Sequence, residues 1–144
     1  MDNNISITFG TPEHGWLPVD LSSNDYKLSI DVSDVPINPL EDLCNVLQDV
    51  TKGHKSEVYW NLEPVAVFFE FEKSGKEYQL SISQAADNRS FRETKKIIKG
   101  SFQEIIFPFI NCTTKFYSQT YDEKHWPTVD KRKLDKLITL TAYT

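Results

Sequence analysis

The sequence predicts an α+β domain in which a mostly antiparallel sheet of six to seven strands carries two to three helices on one face. Three patterns support this prediction: apolar residues alternate through Glu57–Ser83, they alternate again through Tyr26–Val32, and they recur at helical spacing after Asn38. Strands and helices with one apolar face bury that face against each other, so the patterns indicate one layered domain over residues 1–144.

The stretch Glu57–Ser83 is predicted to form three consecutive strands, because apolar residues recur there with a two-residue period. The predicted core-facing residues are Val58, Trp60, Leu62, Val65, Val67, Phe69, Phe71, Tyr78, Leu80 and Ile82. Glu63-Pro64 marks the first turn, and Gly75 marks the second because glycine adopts positive φ at little cost. The opposite face is expected to be partly exposed and carries Tyr59, Phe68, Glu70 and Glu72.

Four further strands are predicted outside this stretch. Residues 4–9, Trp16–Leu21 and Tyr26–Val32 alternate before the first helix. Pro18 lacks a backbone N–H, which favours an edge position or a bulge for the second of these strands. The segment Asp87–Lys99 contains five bases, and lysines on an edge strand block unwanted strand pairing. An edge strand is therefore predicted there, with a basic binding ridge as the alternative.

The first helix has clear signals at both ends. Asn38 suits the N-cap, Pro39 suits the first helical position and Glu41 follows three residues after the cap, as in a capping box. Gly53 suits the residue just beyond the helix. The stripe predicted to face the sheet consists of Leu40, Leu43, Cys44, Leu47 and Val50.

Two more helices are predicted near the end of the chain. Ser101 and Glu104 form a capping-box pattern, and Pro108 is expected to kink or shift the helix that follows. After an irregular connection at Tyr121–Thr128, residues 130–140 indicate a short last helix. The predicted order of elements is β-β-β-α-β-β-β-β-α-α.

The formal net charge of −5 is unevenly distributed along the chain. Residues 1–50 contain nine acids and one base, for −8, whereas residues 51–144 contain twelve acids and fifteen bases, for +3. An acidic first third argues against nucleic-acid binding, which depends on basic patches. It is compatible with electrostatic steering toward a basic protein partner, and equally with ordinary solubility of the surface.

The sequence also suggests a cellular compartment. The opening residues MDNNISITFG lack the basic and apolar regions of a signal peptide, and no apolar run reaches the roughly 20 residues of a membrane span. Cys44 and Cys112 fall on apolar stripes, which predicts buried free thiols rather than a disulfide. We therefore expect a cytoplasmic, bacterial-type protein that has no membrane partner.

No residue pattern indicates catalysis, a cofactor or a metal. His14, His54 and His125 are scattered in predicted loops without metal-ligand spacing. Neither a glycine-rich phosphate loop nor a nucleophile-elbow motif occurs. Asp20 and Asp31 lie on adjacent predicted strands and are candidate neighbours across a hairpin. A catalytic pair, a partner-facing acidic patch and a solvated surface are all compatible with that placement.

Several short segments carry a resemblance: His14-Gly15-Trp16-Leu17-Pro18-Val19, Val32-Ser33-Asp34-Val35, Asn38-Pro39-Leu40, Gly100-Ser101-Phe102 and His125-Trp126-Pro127. In these segments the chain is similar to small uncharacterised bacterial proteins that resemble the immunity components of polymorphic or contact-dependent toxin systems. The resemblance implies a cytoplasmic protein that binds and blocks a toxin domain, and it brings no catalytic residues.

The leading hypothesis is a non-enzymatic protein-binding module of immunity type, whose partner is another protein such as a basic toxin domain. The residues expected to face this partner are Asp20, Asp31, Asp34, Tyr59, Phe68, Glu70 and Glu72. One alternative is a small-ligand-binding protein or enzyme that uses a cavity between sheet and helices. A second alternative is a structural homo-oligomer.

Overall fold

A computed structural model describes residues 5–87, 90–119 and 124–143 of the chain. The strands are β1 (Ser6–Phe9), β2 (Trp16–Ser23), β3 (Tyr26–Ser33), β4 (Ser56–Asn61), β5 (Ala66–Ser74), β6 (Glu77–Ala85) and β7 (Glu93–Gly100). The helices are α1 (Pro39–Thr51), α2 (Phe102–Ile105), α3 (Phe107–Ser118) and α4 (Lys131–Thr139), followed by a 3₁₀ turn at Leu140–Tyr143. Parts of three predicted segments, at residues 4, 88–89 and 121–123, lie outside the described residues.

The α+β class is confirmed, but the prediction of one sheet of six to seven strands is wrong. The seven strands form two antiparallel sheets, β1-β2-β3 and β4-β5-β6-β7. Helix α1 separates them in the chain, and β3 contacts β4 without a shared ladder of backbone hydrogen bonds. The Asn61 side-chain Nδ2 instead donates to the Val35 carbonyl at 2.7 Å. Alternation reveals a strand and its buried face, but it does not reveal which strand lies beside it.

The inner faces of both sheets share one hydrophobic core with the helices. Helix α1 packs on β4 and β5, α3 contacts β1 and α1, and α2 packs on β6 and β7. The Phe109 ring stands edge-on to Phe71 and Phe69, with centroid distances of 5.2 and 6.0 Å. Each fully buried side chain of this size stabilises the fold by roughly 1.5–3 kcal/mol. Because the helices cover the inner faces, the outer faces of both sheets point away from the core.

The predicted limits of α1 are confirmed. The Leu40 N–H donates to Asn38 Oδ1 at 3.0 Å, and Gly53 follows the helix with φ of +94°. Glu41 differs from the prediction, since its carboxylate accepts a hydrogen bond from Lys133 Nζ at 2.8 Å. This ion pair ties α4 to α1, so a residue expected to cap one helix joins two helices.

The predicted effect of Pro108 is confirmed as a break between two helices. Helix α2 ends at Ile105, and α3 begins at Phe107 with Pro108 in its first turn. The capping box at the start of α2 is also present. The Glu104 N–H donates to Ser101 Oγ at 3.3 Å, and the Ser101 N–H donates to Glu104 Oε1 at 2.9 Å.

The expected edge position of the strand containing Pro18 is wrong, because β2 is the central strand of its sheet. Pro18 is tolerated there because β1 ends at Phe9, opposite Val19. Beyond the end of β1, the backbone of Pro18 makes a hydrogen bond only through its carbonyl, which accepts from the Gly10 N–H at 2.9 Å. The edge position predicted for β7 is confirmed.

Candidate functional site

The predicted partner-facing residues fall on the outer faces of two different sheets. Asp20 and Asp31 lie on the three-stranded sheet, and Asp34 follows directly after β3. Tyr59, Phe68, Glu70 and Glu72 lie on the four-stranded sheet. The structure therefore divides the predicted set into two surfaces with different chemistry.

The expectation that Phe68 is exposed is wrong, since its side chain is only 3% exposed. The Arg92 guanidinium lies over the Phe68 ring at 3.5 Å from the centroid. Its two terminal nitrogens donate to the Glu57 carboxylate at 2.6 and 3.0 Å, and this hydrogen bonding raises the pKa of Arg92. Tyr59 stacks against Phe68, with 5.6 Å between the ring centroids. A single cation thus covers the aromatic cluster where no helix does.

Arg92 was missed by the sequence analysis, which assigned it only to a basic edge segment. Its partner Glu57 lies 35 residues earlier in the chain, and no local pattern connects the two. Glu70 is similarly occupied, since Lys55 Nζ lies 3.4 Å from its carboxylate. The charges on this outer face are therefore largely neutralised within the protein itself.

Asp20 and Asp31 do not stand directly opposite each other. The β2–β3 register places Asp20 opposite Ser29, and Asp31 opposite Pro18. The Ser29 hydroxyl donates to Asp20 Oδ1 at 2.5 Å. Diagonal positions of this kind are roughly 7–8 Å apart, which is too far for the two carboxylates to share a proton directly. Both side chains are exposed, so they contribute negative charge to the surface.

The three-stranded sheet and its adjoining loops hold acids without matching bases. Residues 5–38 contain five acids, Glu13, Asp20, Asp25, Asp31 and Asp34, and one base, Lys27. Within the ranges that the structure describes, no ion pair involves any of these five acids. We call the outer face of this sheet, together with Glu13 and Asp34, the acidic face.

One end of the acidic face is held by a junction of three loops. His14 and Gly15 adopt positive φ, +52° and +82°, in the tight turn between Glu13 and Trp16. The N–H of His14 donates to His125 Nδ1 at 2.8 Å, and the N–H of Gly15 donates to the His125 carbonyl at 2.7 Å. Both central N–H groups of the turn are thereby satisfied by one residue, which fixes the turn in place.

The histidines predicted to be scattered are thus partly brought together. The His14 and His125 rings stand edge to face with centroids 4.6 Å apart, although 111 residues separate them in the chain. Because His125 Nδ1 accepts a hydrogen bond, that nitrogen carries no proton. Among the described residues no group of three or more His, Cys, Asp or Glu side chains is placed to hold a metal ion. We therefore interpret the junction as a positioning element for the turn.

The cysteines are free and buried, as predicted. Cys44 lines a cleft of about 570 Å³ between α1 and α4, beside Lys52, Lys133 and Lys136. Burial raises the pKa of the Cys44 thiol to about 12, and that of Cys112 likewise. A thiol in this state is a poor nucleophile, because the thiolate is the reactive form. A second cleft, of about 360 Å³, lies where the β5–β6 turn meets the start of α2.

Comparison of the chain with protein-family models, curated proteins and solved structures found no match. In the described parts of the chain, no helix is both long enough and apolar enough to cross a membrane.

The His125 junction predicts a selective change in amide exchange. In His125→Ala the His14 N–H loses its acceptor, whereas the Gly15 N–H keeps the backbone carbonyl of residue 125. We expect hydrogen exchange at His14 to accelerate markedly and exchange at Gly15 to change much less. We expect a stability loss of about 1 kcal/mol.

His54→Ala is the matched control, because His54 is exposed in a loop. Urea denaturation should show that this substitution changes the free energy of unfolding by no more than about 0.5 kcal/mol. Unchanged protection of the His14 amide in His125→Ala would show that the side-chain hydrogen bond does not form in solution.

The raised thiol pKa values predict resistance to a disulfide reagent. At pH 8 a pKa of about 12 leaves only about one thiol in 10⁴ ionised, against roughly one in four for an unperturbed thiol. We expect neither Cys44 nor Cys112 to react within minutes in the native protein, and both to react in urea. Since the unfolded chain releases these protons at lower pH, the folded state should lose stability as pH rises toward 12.

A positive control is Ser74→Cys, at the exposed end of β5, which should react at once in the folded protein. Stoichiometric labelling of native Cys44 on the same timescale as this control would contradict the assignment of an inert, buried thiol.

Proposed function

We propose that this protein is a non-enzymatic protein-binding module of immunity type, which inhibits a basic toxin domain in the bacterial cytoplasm. The observation that carries the proposal is the acidic face, whose acids have no basic partners among the described residues. The resemblance of several short segments to immunity components supports the same class. The two buried free thiols suit a reducing compartment.

The distribution of ion pairs argues that the acidic face has a purpose beyond solubility. All five ion pairs of the described residues use acids from Glu41 onward, among them Glu57–Arg92 and Lys55–Glu70, although other acids there, such as Glu77, form none. The three-stranded sheet instead carries Asp20 and Asp31 at diagonal positions, with no base opposite either of them. Unpaired acids on one face create a directional field, and such a field accelerates association with a basic partner by about 10–10³-fold.

The four-stranded sheet supplies the flank of the proposed binding surface. Tyr59, Glu70 and Glu72 remain proposed contacts there. Arg92 takes the place of Phe68, since the guanidinium covers the ring. An arginine already held by Glu57 and an aromatic platform loses little side-chain entropy on binding, which suits an interface residue.

Charge reversal on the acidic face tests the proposal. A partner is first captured by the tagged wild-type protein from its own cells and then purified. We expect Asp20→Lys/Asp31→Lys to lower the association rate of that partner at least tenfold at low salt. The salt dependence of the rate should weaken in parallel, as measured by surface plasmon resonance across a salt series.

The matched control is Glu77→Lys/Asp135→Lys, which changes the net charge equally at two exposed acids away from the acidic face. Neither residue belongs to an ion pair of the described chain. Thermal melting checks that both double variants fold. Equal loss of binding in the two variants would show a general charge effect and reject the acidic face as the binding surface.

A further inference from the structure

We infer that Trp16, Val35 and Ile37 form an apolar anchor at one end of the acidic face, and that this anchor receives a basic segment of the partner that also carries an apolar residue. The inference deepens the proposed function and rests on it. It names the contact that provides affinity, whereas the surrounding acids provide steering.

The three side chains emerge from neighbouring pieces of backbone. Trp16 is the first residue of β2 and stands opposite Ser33, while Val35 and Ile37 follow in the loop after β3. The Asp34 N–H donates to the Gly15 carbonyl at 3.0 Å, which joins the two loops directly. Trp16 is 37% exposed, Val35 58% and Ile37 57%.

The anchor is held rigidly before any partner arrives. The Val35 N–H donates to Ser33 Oγ at 3.1 Å, and the Val35 carbonyl accepts from Asn61 at 2.7 Å. The turn that precedes Trp16 is fixed by His125. A preorganised surface loses little conformational entropy on binding, and tryptophan is among the residues that contribute most binding energy at interfaces.

The exposure of Trp16 is unusual within this chain. The other two tryptophans, Trp60 and Trp126, are 0% and 1% exposed and belong to the core. Phe91, Ile97 and Ile138 are also exposed, but Phe91 and Ile97 lie just before and within the lysine-rich β7, and Ile138 lies on α4. Trp16 therefore combines a large apolar surface with adjacent negative charge.

The charge around the anchor selects the occupant. Glu13 is bridged to Trp16, Asp34 lies between the two loops and Asp31 stands opposite Pro18. Lys27, the single base of residues 5–38, stands opposite Ser22 at the other end of the hairpin, about 20 Å from Ser33 along the strand. That separation exceeds two Debye lengths at physiological salt, so Lys27 does not neutralise the anchor.

The same charge argues against other occupants. A second copy placed face to face would bring like charges together, and an anionic membrane would be repelled. A basic segment with an apolar side chain satisfies both the acids and the exposed apolar surface.

The test uses Trp16 as its own reporter. Three 12-residue peptides without tryptophan serve as probes: alternating Lys and Leu, alternating Lys and Ser, and alternating Glu and Leu. We expect the Lys/Leu peptide to shift the emission of Trp16 to the blue and to protect it from iodide quenching. It should bind at least tenfold more tightly than the Lys/Ser peptide, and the Glu/Leu peptide should not bind. Trp16→Phe should abolish the emission change.

Affinity is measured independently by anisotropy of labelled peptides. We expect Val35→Ser/Ile37→Ser to lower the affinity for the Lys/Leu peptide at least tenfold and to leave the affinity for the Lys/Ser peptide unchanged. Phe91→Ser is the matched control and should bind as the wild type does. Circular dichroism melting confirms that each variant is folded.

Each contrary outcome has a separate meaning. Equal binding of the two basic peptides, lost together in Asp20→Lys/Asp31→Lys, overturns the anchor and leaves the proposed function intact. Absence of binding by either basic peptide also overturns the anchor, while the captured partner still decides the proposed function. A concentration-dependent emission shift with doubled mass in light scattering assigns the surface to a second copy. A shift with neutral phosphatidylcholine vesicles alone assigns it to lipid.

Discussion

A shared core beneath two sheets is the constraint on which the rest of this structure depends. The apolar faces of the three-stranded and four-stranded sheets belong to one hydrophobic core, in which α3 contacts β1 and also places Phe109 against Phe69 and Phe71 of β5. The helices cover only the inner face of each sheet, so the outer face is left to contact water, covering side chains or a partner. The contact between Asn61 and Val35 links the two sheets where no ladder of hydrogen bonds does.

The two outer faces meet this requirement in different ways. The four-stranded sheet covers Phe68 with Arg92, whose charge is in turn neutralised by Glu57. Among the described residues the acids of the three-stranded sheet form no ion pair, and Trp16 is exposed at one end of that sheet. A surface whose charges are paired internally offers little long-range steering to a partner. A surface with uncompensated charge and exposed apolar groups carries the two features that association uses, long-range steering and local burial.

Local signals in the sequence predicted most of the elements well. Asn38 and Gly53 mark the two ends of α1, Ser101 and Glu104 form a capping box, and Pro108 divides the predicted second helix. These predictions hold because each signal acts within one turn of backbone. The predictions were wrong where the answer depended on distant residues. Two-residue alternation looks the same in one sheet of seven strands and in two smaller sheets, since it identifies a strand but not the strand that pairs with it.

The candidate site shows the same division between local and distant information. From residue type and alternation alone, the sequence determined the class of the fold, the buried faces, the helix limits and an acidic first third. Only the tertiary structure decided that Arg92 covers Phe68, that His125 holds the turn before Trp16, and that the acids of residues 5–38 form no ion pair among the described residues. The physical reason is that a cap or a period is set by neighbours in the chain. A contact across 35 or 111 residues is set by how the whole core packs, and no short stretch of sequence records it.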